Sequence, residues 1–123
     1  MPRFVILEHA WNGVHWDVML ESEGTLRTWA IDAPIVGGID LPARALPDHR
    51  LAYLNYEGEI SGGRGTVRRW DAGTYEAERW TDSEVRVRLA GAQLVGTAEL
   101  RRTGRGTIET PGFSWCFRFG NFD

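Results

Sequence analysis

Apolar and polar residues alternate one by one along much of this chain, while the 3.6-residue spacing of an amphipathic helix is nearly absent. A period of two belongs to strands, because successive side chains of a strand point to opposite faces. The pattern is clearest at residues 84–89, "EVRVRL", where Val85, Val87 and Leu89 face one way and Arg86 and Arg88 the other. Further strand candidates are residues 4–8, 15–21, 26–31, 52–56, 66–70, 74–79, 96–102 and 113–119. Turn residues separate most of them: Glu23-Gly24, Asp71-Ala72-Gly73, Ala90-Gly91 and Thr103-Gly104. The chain is read as all-β. About eight or nine short strands joined by tight turns predict a closed antiparallel barrel or a sandwich, and closure removes exposed edges.

Two segments break the alternation. Residues 32–50 carry Pro34, Pro42, Pro47 and the Gly37-Gly38 pair, and read as one long irregular loop of the kind that is often functional. Residues 60–65, "ISGGRG", form a second glycine-rich stretch; it lacks the Walker pattern and a following helix, so a hairpin loop is expected rather than a phosphate cradle. The last strand places Phe113, Trp115, Phe117 and Phe119 on one face, a row that is more often core than a base-stacking platform. Cys116 then points the other way, with nothing nearby to activate a thiol.

With 123 residues the chain has the size of a single domain, 1–123, able to bury roughly two thirds of its unfolded surface. Apolar runs such as residues 4–7 are far too short to span a bilayer, and the N-terminus lacks the features of a secretory signal, so a soluble, cytoplasmic protein with no membrane partner is expected. One cysteine excludes an internal disulfide and a cysteine zinc cluster, leaving His, Asp and Glu as metal ligands. The net charge is −3, and all 14 basic residues are arginine. A globally basic nucleic-acid binder is disfavoured. The local clusters Arg68-Arg69 and Arg101-Arg102 with Arg105 read as solvated strand faces.

Against this background residues 8–21, "EHAWNGVHWDVMLE", stand out, since they hold two of the three histidines. Alternation sends Trp16, Val18 and Leu20 to one face and His15, Asp17, Met19 and Glu21 to the other. His15 and Asp17 are thus neighbours, roughly 7 Å apart along the strand. A hairpin loop through residues 10–14, turned by Asn12-Gly13, brings His9 back beside His15. Two imidazoles and a carboxylate leave positions open for water or substrate, as a catalytic metal site requires. Donor type alone admits Mn, Fe, Zn, Co or Ni, including an iron oxygenase triad, and two ordinary half-buried histidines beside a surface aspartate would fit the same spacing. The third histidine, His49, lies four residues before Tyr53; imidazolium and phenol both suit phosphate oxygens, and His49 can exchange a proton near neutral pH.

Taken in order, these residues carry a resemblance. His9, then His15-Trp16-Asp17 with Leu20-Glu21, then Trp29-Ala30, then Asp48-His49 with Leu51 and Tyr53, then Tyr56-Glu57-Gly58, then Gly65-Thr66-Val67 with Trp70-Asp71 and Gly73-Thr74, resemble the 3′-phosphoesterase domain of bacterial DNA ligase D over most of the chain. The resemblance implies a compact antiparallel β-barrel that binds a divalent metal, most commonly Mn²⁺ with Zn²⁺ or Co²⁺ as alternatives. It implies removal of a terminal nucleoside and then a 3′ phosphate from DNA or RNA-tipped DNA, or action on a smaller phosphoester. His9, His15 and Asp17 would be the metal ligands, His49 and Tyr53 the catalytic contacts to phosphate, and a separate DNA ligase a partner. The chain departs from the family where a phosphate-gripping arginine is replaced by Met19, and where Asp32 and Ala33 stand in place of a basic residue after the Trp-Ala strand. Loss of one such donor typically costs roughly 10²- to 10³-fold in rate. Arg64, in a glycine-rich loop shorter than is usual for the family, and Arg44 and Arg50 are the candidates to replace it. A relative that binds metal and nucleic-acid ends, or a repair partner, without turnover is the alternative reading.

Overall fold

The structure, a computed structural model, describes residues 1–104 and 114–120. Its strands are β1 (Arg3–Ala10), β2 (Val14–Ser22), β3 (Thr25–Ile31), β4 (Asp40–His49), β5 (Gly58–Glu59), β6 (Thr66–Trp80), β7 (Glu84–Gly91), β8 (Val95–Arg102) and β9 (Trp115–Gly120). A single 3₁₀ turn, Leu51–Leu54, lies between β4 and β5. Neighbours run β1-β2-β3-β4-β9-β8-β7-β6, and β6 pairs back onto β1, so eight antiparallel strands close into a barrel. β5 sits outside the ring, paired only to the first residues of β6. At eight strands a barrel interior is just wide enough to be filled by side chains.

That filling comes from alternate residues. Phe4, Ile6, Val18, Leu20, Trp29, Ile31, Val85, Val87, Leu89, Leu100, Trp115 and Phe117 form the inner core. Each large apolar side chain so buried contributes roughly 1.5–3 kcal/mol. β1 departs from alternation because both of its faces are covered. Val5 and Leu7 point outward, where they join Met19, Leu26, Leu54 and Val67 in a second cluster, with Tyr53 and Ile60 packed against it. The 3₁₀ turn and the β5–β6 loop are the lid of this outer cluster. The turn and its exit are pinned by Arg69, whose guanidinium donates to the Leu54 carbonyl (3.3 Å) and whose amide donates to the Glu57 carboxylate (2.9 Å).

Several expectations are corrected. The irregular stretch is residues 32–39, with Arg50 after β4, because β4 occupies residues 40–49. Its prolines fit where no ladder donor is needed: Pro42 is paired with β9 alone, ahead of the point where β3 joins, and Pro47 falls at the register shift against β3. Residues 52–56 are not a strand but the 3₁₀ turn and its exit. The two candidates at 66–70 and 74–79 are one continuous strand, β6, bulged where its register against β1 shifts. Asp71 is therefore no turn residue. Its buried carboxylate accepts from the amides of Ala72, Ala92, Gln93 and Leu94 at 2.8–3.0 Å and fixes the β7–β8 connection from the neighbouring strand. Trp115 and Phe117 are core, as expected of the aromatic row, whereas Phe113 and Arg105 lie outside the described residues. Arg68 pairs with Glu8 (3.1 Å) and Arg101 with Glu99 (2.7 Å), as expected of solvated strand faces. Among the described residues no helix is long and apolar enough to cross a membrane.

Candidate metal centre

The β1–β2 hairpin builds the centre. Asn12 (φ 53°) and Gly13 (φ 107°) adopt the left-handed backbone that a tight turn needs, and β1 returns as β2 in the register His9 opposite His15 and Leu7 opposite Asp17. All three side chains fall on the outward face, beside the second cluster. His9 Nδ1 lies 3.2 Å from His15 Nε2 and 3.7 Å from Asp17 Oδ2, and His15 Nε2 lies 3.1 Å from Asp17 Oδ1. One donor atom from each residue lies within 4.8 Å of the others.

Two features of this trio fit a divalent cation. Asp17 is 3% exposed, and its Oδ1 makes no hydrogen bond of acceptable geometry despite the nearby ring nitrogen. A buried carboxylate left so is costly unless a cation meets it. The other feature is tautomeric. His9 Nε2–H donates to the Arg64 carbonyl at 2.8 Å, which leaves the lone pair on Nδ1, facing His15 and Asp17. Fixing a ligand imidazole through its far nitrogen is the usual way to orient it on a metal. Bonds of about 2.0–2.2 Å set adjacent ligand atoms roughly 3 to 3.6 Å apart, close to the spacing found here.

The lid supplies the opposite wall. His9, Asp17, Met19, His49, Tyr53 and Arg64 all border one cleft of about 110 Å³. His49, at the end of β4, donates Nδ1–H to the Pro47 carbonyl (2.9 Å), so Nε2 is the nitrogen available to a ligand. Its ring meets Tyr53 edge-on at 5.6 Å, and Tyr53 meets Tyr56 in the same way at 5.8 Å. Met19 is 1% exposed and belongs to the outer cluster, so the cleft floor beneath Asp17 is apolar.

Of the candidate arginines, Arg64 reaches the cleft itself, and its guanidinium is tethered to Ser61, through the carbonyl at 2.8 Å and the hydroxyl at 3.3 Å. Arg50 borders an adjoining depression that also includes His49, Tyr53 and Arg64. Arg44 lies apart from these, 3.7 Å from Asp32, in a depression on the His15 side. Gly65 lets this loop close. At φ +80° it passes so near the hairpin that a Cβ would stand 2.0 Å from the Ala10 carbonyl oxygen. Cys116, distant in the fold on β9, has its thiol pKa raised, first by burial and then by the Asp40 carboxylate, so it is held as the neutral, unreactive form.

Sequence reasoning missed two contributors. The Arg64 carbonyl acts through its backbone and leaves no mark in residue type. Trp11 borders the cleft beside His9 but lies in the turn, where alternation carries no signal.

The family described as the DNA Ligase D 3′-phosphoesterase domain matches residues 7–102. The multifunctional non-homologous end joining DNA repair protein LigD of Mycobacterium tuberculosis (strain H37Rv) is 37% identical over 109 residues, covering 81% of this chain and 14% of that protein. The multifunctional non-homologous end joining protein LigD of Mycolicibacterium smegmatis is 30% identical over 129 residues, covering 92% and 16%. Its counterpart of the same name in Pseudomonas aeruginosa is 31% identical over 111 residues, covering 82% and 13%. The chain thus spans only a small part of the length of these relatives. It belongs to the DNA ligase D 3′-phosphoesterase domain family.

Proposed function

We propose that the chain is a metal-dependent phosphoesterase that trims the 3′ ends of DNA or RNA-tipped DNA. It would release a terminal nucleoside and then the 3′ phosphate, so that a ligase can use the end. The observation that carries this reading is that two members of the His9, His15 and Asp17 trio, His9 and Asp17, border one cleft with His49, Tyr53 and Arg64. Family membership and the end-joining names of the relatives support the substrate class.

In this reading His9 Nδ1, His15 Nε2 and Asp17 hold a divalent ion, with Mn²⁺ the first choice and Zn²⁺ or Co²⁺ as alternatives. When bound, such an ion polarises a phosphoryl oxygen and lowers the pKa of coordinated water. The remaining work belongs to the chain. With Nδ1–H engaged on Pro47, a His49 that also donates through Nε2 is the imidazolium, a cation set against the phosphate. The Tyr53 hydroxyl donates beside it. Arg64, with Arg50 behind it, supplies from the lid the positive charge that Met19 cannot supply from the floor. In the phosphomonoester step, water oxygen bonds to phosphorus as the bond to O3′ breaks. The leaving O3′ takes a proton, for which His49 Nε2–H is the placed donor, and a 3′ hydroxyl and inorganic phosphate result.

The test uses primer-templates ending in a ribonucleotide or a 3′ phosphate, assayed for nucleoside and phosphate release with Mn²⁺. Wild type is expected to release both, with His49→Ala and Tyr53→Phe each slower by about 10²-fold or more. Undiminished release in His49→Ala refutes the assignment. Met19 favours one second reading, a barrel that binds metal and ends without turnover. An inactive wild type together with an active Met19→Arg would select it.

A further inference from the structure

We propose that Trp11 is the seat of the terminal nucleobase, a stacking platform built beside the metal centre; the inference rests on the end-processing reading above. Trp11 is 44% exposed. Scattered exposed apolar residues are normal and carry no message. This one differs because it is flat and placed against a metal-ligand candidate. Its ring stacks on that of His9, with centroids 6.1 Å apart and planes at 24°. It borders two depressions at once: the cleft with Asp17, His49, Tyr53 and Arg64, and a broader one of about 450 Å³ with His15, Asp32 and Arg44. A phosphate held in the cleft therefore leaves its own sugar and base next to the indole.

The backbone beneath the platform is held by the turn. The Trp11 amide donates to the Gly13 carbonyl at 2.9 Å, closing the turn on itself. The lid braces it from the other side, since Gly65 passes so close that a Cβ there would meet Trp11 Cβ at 2.7 Å. Rigid aromatic surface binds at low entropic cost. Stacking of a base on an aromatic side chain tolerates any sequence, because every base has a π face. Such a seat suits an enzyme that must accept whatever base ends a broken strand, and it makes the base, not only the phosphate, part of recognition.

The experiment compares two DNA primer-templates that end in the product 3′ hydroxyl, one with a normal terminal base and one with a tetrahydrofuran abasic terminus. Binding is read by fluorescence anisotropy at fixed salt with Mn²⁺, for wild type, Trp11→Ala and Trp11→Phe. Wild type should prefer the base-bearing end by roughly 5- to 150-fold, Trp11→Ala should abolish that preference, and Trp11→Phe should retain most of it. A preference that survives in Trp11→Ala, or a wild type that binds both ends equally, overturns the proposal. Phosphate release by a wild type with no preference brings down this inference alone. A wild type that binds neither end and releases no phosphate from a 3′-phosphate primer-template brings down the end-processing reading with it.

Discussion

Asp17 is the residue on which the centre depends. A carboxylate 3% exposed, with one oxygen lacking a well-formed hydrogen bond and two imidazole nitrogens within 3.7 Å, is a site waiting for positive charge. A cation that binds only the folded protein stabilises it by about 2.7 kcal/mol at a hundred times its dissociation constant. Adding Mn²⁺ to metal-stripped protein should therefore raise the melting temperature, by on the order of 10 °C for a domain of this size. Asp17→Asn and His9→Ala should lose most of that rise, and a wild type indifferent to Mn²⁺ would contradict the metal assignment. The trio was legible in the sequence because two local rules met there. Strand alternation put His15 and Asp17 on one face, and a short turn at Asn12-Gly13 brought His9 back to them. The tautomer of His9 was not legible, since it is set by the carbonyl of Arg64, 55 residues away in the chain.

At the scale of elements, the β5–β6 loop joins the candidate metal centre to the wall that carries His49 and Tyr53. Its Arg64 borders the cleft, presents the carbonyl to His9 and holds its guanidinium on Ser61, and Gly65 brings the loop within reach. Gly65→Ala must take a left-handed conformation and push its Cβ against the Ala10 carbonyl, so the loop has to move away from the hairpin. We expect a loss of about 1–3 kcal/mol in stability. Mn²⁺ affinity, read by titration, should fall about 10- to 100-fold as His9 loses its orienting acceptor. Gly63→Ala is the control: it has a similar φ of +68° with open space around the added carbon, and should cost stability while leaving Mn²⁺ affinity unchanged. Equal affinities in all three proteins would show that the loop does not orient His9. Elements were misread where residue type and tertiary context disagree. Pro42 and Pro47 read as a loop, yet they occupy positions in β4 that need no ladder donor. Asp71-Ala72-Gly73 read as a turn, yet Asp71 is a buried anchor for the connection beyond the next strand, and a Cβ at Gly73 would stand 2.0 Å from the Ala90 carbonyl oxygen.

For the whole molecule, the barrel separates stability from function. The inner core is closed by the β1–β6 pairing and contains none of the candidate site residues. The site lies on the outer face, where β1 and β2 turn a second set of side chains toward a lid made from the 3₁₀ turn and the β5–β6 loop. The all-β class was readable from alternation and turn residues, which are local signals; the strand count came close although β4 and β5 were missed, residues 52–56 were counted and β6 was split in two. The outer cluster was not readable, because no local pattern marks residues 51–65 as a cover folded back over β1. If the proposed function is right, this barrel and its lid are sufficient for 3′-end chemistry. The most direct test of that function is phosphate release from a 3′-phosphate primer-template by the metal-stripped chain as Mn²⁺ is added, for wild type and Asp17→Asn. Release that is absent without metal, saturates with Mn²⁺ and is lost in Asp17→Asn is the predicted result. Release that needs no added metal, or that proceeds undiminished in Asp17→Asn, would contradict it.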